Sequence, residues 1–316
     1  MTSYPADEEQ NYETVACPMC GGREDDLLFS KGPSRVVRCR TCRLIYAAVR
    51  PRESVMAAIY DESYFQERTR VSEEFIAGQR TLHDVMLEGL VRRLGEPSPG
   101  DRLLDIGCGI GKLLLQARAA SWEVEGIEPS SYAASYAREQ LGLNVRTGLF
   151  RAGEFPPETY RAVVLLDVIE HFYDPLPMMR EIHRILRPEG FCLLTTPNVW
   201  GLSRWLFGGK NYALDATLGG VGHVTFFSVS TLAAMLRAAG LSNVRSRTGE
   251  VYLKNFTDLW QRICRSDRPA AELHRKARTA LRPRWWTVAL YHTANGLLAA
   301  TRLGDQITAL AWRRRK

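Results

Sequence analysis

Apolar runs of strand length alternate with helix-like segments through the middle of the chain. Strand-like runs fall at 102–106, 123–128, 143–147, 161–167, 191–196 and 244–249. Helix-like segments lie at 111–120, 130–141, 175–186 and 229–239. Such alternation predicts a parallel sheet covered by helices. Upstream, "SEEFIAGQRTLHDVMLEGLVRRL" predicts a helix from Ser72 to Leu94. Ser72 is placed to cap it, and Glu73 and Glu74 favour its positive end. "GEPSPG" at 95–100 breaks the chain.

The pattern divides the chain into four pieces. Residues 13–50 carry paired cysteines, glycines and short β-prone runs, and 51–99 are a helical linker or lid. Residues 100–250 form the α/β core, and 251–316 are a fourth piece rich in Arg and Trp. With 316 residues, 45% apolar and 24% charged, the chain suits a globular protein with one sizeable core and accessory pieces. No apolar run reaches the roughly 18 residues of a spanning helix. The start, "MTSYPADEEQ", lacks the layout of a secretory signal, so a cytoplasmic location with reduced cysteines is expected.

"RLLDIGCGIGKLLLQA" sets Gly107, Gly109 and Gly111 between a predicted strand and a predicted helix. Ligands of open α/β sheets bind at such turns, where glycine admits unusual φ angles and close approach to the backbone. The following helix start suits an anionic group such as a carboxylate. The next strand, "EVEGIE", ends in Glu128, an acid suited to the two hydroxyls of a ribose. Turn and acid together describe a site for a nucleoside-bearing ligand.

"LLDIGCGIG", "GIEPS", "VVLLDVIEHFYDP" and "REIHRILRPEGFCLLTTPN" resemble, in this order, the successive motifs of class I S-adenosylmethionine-dependent methyltransferases, over roughly residues 75–250. The resemblance implies a Rossmann-like sheet with helices on both faces, with "GDQITALAWRRRK" at 304–316 as its last strand and basic tail and 251–303 as a helical insertion before it. It implies that Asp105 and the turn of Gly107, Cys108, Gly109 and Gly111 hold the methionine end of S-adenosyl-L-methionine. Glu128 would bind the ribose, Leu149 and Phe150 would flank the adenine, and Asp167 would sit beside the sulfonium. Two positions depart from the family pattern. Gly148-Leu149 stands where Gly-Asp is common, and Tyr160-Arg161 where Phe-Asp is common.

"DVIEHF" and "GHVTFFS" add His171 and His223 on the ligand side. Either imidazole has a pKa suited to a general base. Asp167, Glu170, His171 and His223 also form a carboxylate and imidazole set suited to a divalent cation. That set resembles clusters in small-RNA 3′-end 2′-O-methyltransferases and in ubiquinone-pathway O-methyltransferases. A purely structural role is the third reading.

"CPMCGG" and "RCRTCR" give Cys17-x2-Cys20 and Cys39-x2-Cys42, the spacing of a structural four-cysteine zinc site. The segment resembles N-terminal zinc ribbons of methyltransferases that modify sugars, glycans and natural products. It is basic, with little of the aromatic interleaving of a nucleic-acid binder. Cys108, inside the glycine turn, and Cys192, in a strand, read as packing residues rather than nucleophiles.

Charge changes the picture at the C-terminus. The net charge is +7, residues 262–316 carry +10, and the rest carries about −3. Residues 285–301 lack Asp, Glu, Lys and Arg and open with Trp285-Trp286. The pattern fits an acceptor lid, a packing helix or a peripheral membrane contact through 262–301. The expected activity is methylation of an oxygen on a sugar, glycan precursor or secondary metabolite. The alternatives are an RNA methyltransferase with a divalent metal and a non-catalytic adaptor with the same fold.

Overall fold

The structure is a computed structural model and describes residues 9–55, 82–202, 222–249, 293 and 296–315. Ser72, Trp285, Trp286, Cys264 and most of the expected helical insertion lie outside the described residues.

Two sheets organise the fold. The large one is built from β5 (Arg102–Ile106), β6 (Glu123–Glu128), β7 (Val145–Thr147), β8 (Tyr160–Leu166), β9 (Leu186–Pro197), β11 (Ser242–Gly249) and β12 (Gln306–Trp312). Its order is β11-β12-β9-β8-β5-β6-β7. β12 runs antiparallel to both β9 and β11, and the pairs from β9 to β7 are parallel. Among the described residues, the helices that flank it are α1 (Leu82–Leu94), α2 (Lys112–Ala119), α3 (Ser131–Glu139), α4 (Pro175–Ile185) and α5 (Val229–Ala238).

The strands read as almost continuous apolar runs because both of their faces are covered. Successive residues serve opposite layers. Leu103, Val164 and Leu193 pack with Leu87 and Leu90 of α1, Leu114 of α2 and Ala137 of α3. Leu104, Val163 and Leu194 pack with Met179 and Ile182 of α4 and with Leu232 and Met235 of α5. α5 starts at a capping box, in which Ser228 and Thr231 exchange side-chain and backbone hydrogen bonds.

Element boundaries moved where polar or packed residues hid them. β9 begins at Leu186, because Leu186 pairs with Tyr160 ahead of a register shift and the polar Arg187–Glu189 stretch follows. β7 is confined to Val145–Thr147, and the buried Leu143 instead packs beside the glycine turn. β11 starts at Ser242 and bulges before Arg245.

The small sheet contains β1 (Tyr12–Thr14), β2 (Asp25–Lys31), β3 (Ser34–Cys39), β4 (Ile45–Pro51) and β10 (Thr225–Phe226). Its path is β1-β4-β3-β2, and β10 adds to β4. β10 comes from the segment "GHVTFFS", far from 13–50 in sequence. Cys17, Cys39, Leu44 and Tyr46 share one apolar cluster with α4 and α5, so the four-cysteine ribbon rests on that face of the core.

Tyr160 shows how the sheet rim is held. It is 1% exposed, and its hydroxyl donates to Glu125 at 2.7 Å, while Arg102 pairs with the same carboxylate oxygen at 2.8 Å. Tyr160→Phe is expected to destabilise the fold by about 1–2 kcal/mol, read from the midpoint of urea unfolding.

Candidate functional site

The carboxyl ends of β5, β6, β8 and β9 meet at one rim of the large sheet, the usual ligand side of such folds. Gly107, Gly109 and Gly111 all adopt positive φ there. Their surroundings differ. A Cβ on Gly107 would sit 2.6 Å from Val168, and one on Gly111 would clash with Leu143. A Cβ on Gly109 would meet nothing within 4 Å. Two glycines therefore make room for protein, and Gly109 alone of the three opens to space. The Cys108 thiol also faces inward, among Leu113, Leu114 and Val145, and burial pushes its pKa well up. Its backbone belongs to the turn, whereas its side chain packs the core.

Glu128 ties this turn to the end of β6. The amide of Gly109 donates to its carboxylate at 2.8 Å, and the amide of Ser130 donates at 2.9 Å. The side chain is 3% exposed; burial raises its pKa and the two amides oppose that rise. Asp105 lies buried below, its pKa raised by desolvation and then by the Glu128 charge. The amide of Gly148 donates to the Glu128 carbonyl at 2.9 Å, which brings the next residues to the same rim. Leu149 is exposed, while Phe150 is buried and stacked on Phe155 and Phe172.

Asp167 follows β8 with φ +55°. Gln306 donates to both of its carboxylate oxygens, at 3.0 and 3.1 Å, and the Thr195 hydroxyl donates at 3.0 Å. The antiparallel β12 carries Gln306 to this rim, opposite Pro197. The sequence reading missed both partners. The Thr195-Thr196 pair, polar at the carboxyl end of an otherwise apolar strand, was the available signal.

Glu170, His171 and His223 come together, with ligand atoms within 4.8 Å of one another. Asp167, expected as a fourth member, is not in this group, because its carboxylate is turned to Gln306 and Thr195. The two imidazole rings are 4.7 Å apart and meet edge to face. His223 Nε2 lies 4.0 Å from Glu170 Oε1, and the Thr196 hydroxyl donates to Glu170 Oε2 at 2.9 Å. Glu170 is 1% exposed. The amide of Val224 donates to the Glu170 carbonyl at 2.9 Å, which joins the two histidine-bearing segments.

The four ribbon cysteines also converge. Cys17 and Cys42 bring their sulfurs to 3.4 Å, and Cys20 and Cys39 to 3.5 Å. Disulfide sulfurs lie at about 2.05 Å, so these are thiols. Tetrahedral zinc with bonds of about 2.3 Å spaces its sulfurs by about 3.8 Å, close to what is found. Burial opposes ionisation of Cys39, yet hydrogen bonds from the Cys42 amide, the Cys20 thiol and the Thr41 amide bring its pKa to about 7. Cys42 is pushed up to about 11, chiefly by burial.

Residues 79–246, more than half of the chain, match the family described as methyltransferase domain. The chain is 31% identical over 162 residues to ubiquinone biosynthesis O-methyltransferase of Aeromonas salmonicida, covering 48% of this chain and 67% of that protein. With the protein of the same name from Parvibaculum lavamentivorans it is 34% identical over 115 residues, which are 35% of this chain and 46% of that one. The chain thus spans about half the length of this second relative. Among solved structures, Haemonchus contortus phosphoethanolamine N-methyltransferase 2, in complex with phosphomonomethylethanolamine and S-adenosylhomocysteine, aligns with TM-score 0.55 at 18% identity. That alignment covers 91% of this chain and 71% of the other. The motif order, the sheet order and the family match agree: the chain belongs to the methyltransferase domain family, in its class I S-adenosylmethionine-dependent form.

Proposed function

We propose that the chain transfers a methyl group from S-adenosylmethionine to a hydroxyl oxygen of a small molecule, with His171 or His223 removing the proton. The observation that carries this reading is the pair of imidazoles 4.7 Å apart at the ligand rim, backed by the buried Glu170. The names of the curated relatives, O-methyltransferases, support oxygen as the acceptor atom. Sugars, glycan precursors and secondary metabolites are the acceptor classes that the resemblance of the ribbon favours.

The chain fits the cofactor. Gly109 leaves a space that a Cβ would fill, beside the buried carboxylate of Glu128. Gly107 to Gly111 and Asp105 would hold the methionine end, Glu128 the ribose, and Leu149 and Phe150 the adenine. Asp167, fixed by Gln306 and Thr195, would stand beside the sulfonium. When bound, the cofactor supplies an electrophilic methyl group. The protein aligns the acceptor, which supplies much of the acceleration. An imidazole would accept the hydroxyl proton as the acceptor oxygen takes the methyl group and the methyl–sulfur bond breaks, leaving the neutral thioether.

A second reading rests on the same cluster. One carboxylate and two imidazoles within 4.8 Å suit a divalent cation. Glu170, His171 and His223 would hold it, and it would lower the pKa of the acceptor hydroxyl. The four ribbon cysteines suit a structural zinc, since protein fills all four positions.

Replacing His171 and His223 together by alanine should lower kcat by about 10²–10⁴-fold, on a hydroxylated acceptor found by transfer of labelled methyl groups. Cofactor affinity, read by calorimetry, should stay within about twofold. Native turnover in the double variant would remove the imidazoles from the mechanism, and loss of turnover to a chelator that leaves the ribbon zinc in place would favour the cation reading. Gly107→Ala and Gly111→Ala should each cost about 1–3 kcal/mol of stability. Gly109→Ala should cost less stability and weaken cofactor binding at least about tenfold, since the new methyl group enters the open space. Metal analysis of the full chain should find one zinc per molecule, and Cys39→Ser should hold less than half of it.

A further inference from the structure

We propose that β4 of the four-cysteine ribbon is the positioning element for both imidazoles, with Arg50 as the positioning residue that sets the His171 turn. The proposal rests on the reading that His171 and His223 meet the acceptor. It assigns the ribbon a task beyond holding its own metal.

The ribbon grips the histidine segments at two places along one strand. At the first, Thr225 pairs with Tyr46 and Phe226 with Ile45. The amide of Ala47 donates to the Val224 carbonyl at 2.9 Å. His223 is the residue immediately before this pairing. At the second, the Arg50 guanidinium donates to the Tyr173 carbonyl at 2.9 Å and lies 4.3 Å from the centre of its ring. The Tyr173 hydroxyl donates back to the Pro51 carbonyl at 2.6 Å. Tyr173 is two residues beyond His171.

Arg50 itself is held from the ribbon side. It stands opposite Glu13 in the β1–β4 pair, and its Nε donates to that carboxylate at 2.8 Å. The residue is 4% exposed. A buried guanidinium is costly unless paired and hydrogen-bonded. Here the charge partner comes from the ribbon and the second acceptor from the core. The planar fork of Arg meets both at once, which an ammonium cannot reproduce.

β4 is also anchored to the cysteines. The amide of Cys39 donates at 2.9 Å to the carbonyl of Leu44, the residue just before β4, and the side chains of Leu44 and Tyr46 share the apolar cluster of Cys17 and Cys39. The strand therefore contacts the thiol cluster and both histidine-bearing segments. Displacing it would leave β10 without its sheet and Tyr173 without its clamp.

The test uses the full zinc-loaded chain and diethylpyrocarbonate, with the label located by peptide mass mapping. His171 is partly exposed and His223 is 9% exposed, so both should react slowly in the native protein. Arg50→Ala should speed labelling of His171 several-fold, with affinity for S-adenosylhomocysteine within about twofold. Arg50→Lys keeps the charge beside Glu13 and loses the second bond. It should unfold nearer the native temperature than Arg50→Ala, yet label His171 as fast as the alanine variant. On an active acceptor, kcat should fall while KM for the cofactor holds. Should the Arg50 variants not fold, Tyr173→Phe removes the 2.6 Å bond while keeping Arg50, and should still raise labelling of His171. Native labelling in Arg50→Lys, or labelling that merely tracks thermal stability, would overturn the proposal. Failure of the methyltransfer reading would show separately, as absent S-adenosylhomocysteine binding in the native chain.

Discussion

Two backbone amides, from Gly109 and Ser130, meet one carboxylate at the rim of the large sheet. Taking Glu128 out of water is costly, and burial raises its pKa accordingly. The two hydrogen bonds offset that cost, and each comes from a different element. One fixes the glycine turn after β5, and the other helps to start α3, whose first turn Ser130 also caps. The carboxylate thus locks two adjacent crossovers at the place where a parallel sheet presents its ligand side. Gly107 and Gly111 complete the lock by letting Val168 and Leu143 approach the turn.

The rim around Asp167 and the two histidines is built from elements that arrive separately. Asp167 leaves β8 in a left-handed conformation and is held by Gln306 of the antiparallel strand and Thr195 of β9. Glu170 and His171 follow within one short turn. His223 comes from a later segment and reaches them through the bond between the Val224 amide and the Glu170 carbonyl. The ribbon then closes this arrangement from outside. One edge of β4 pairs with β10, and its end clamps Tyr173. A small module with its own thiol cluster is thereby continuous, through hydrogen bonds, with the imidazole pair.

Sequence alone determined the layered core, the glycine turn, the acid at the end of β6 and the cysteine quartet. Each of these is a local pattern, because strand and helix periodicity, turn glycines and paired thiolates are written in adjacent residues. The tertiary structure decided what depends on residues brought together from a distance. It separated Asp167 from the Glu170, His171 and His223 group, since Gln306, 139 residues away, takes its carboxylate. It showed that two of the three glycines yield to protein side chains. It also extended the ribbon sheet with two residues from the core, 179 positions from their partner Tyr46 in the case of Thr225. Strand pairing is made by backbone groups that every residue carries, so no side-chain pattern announced it.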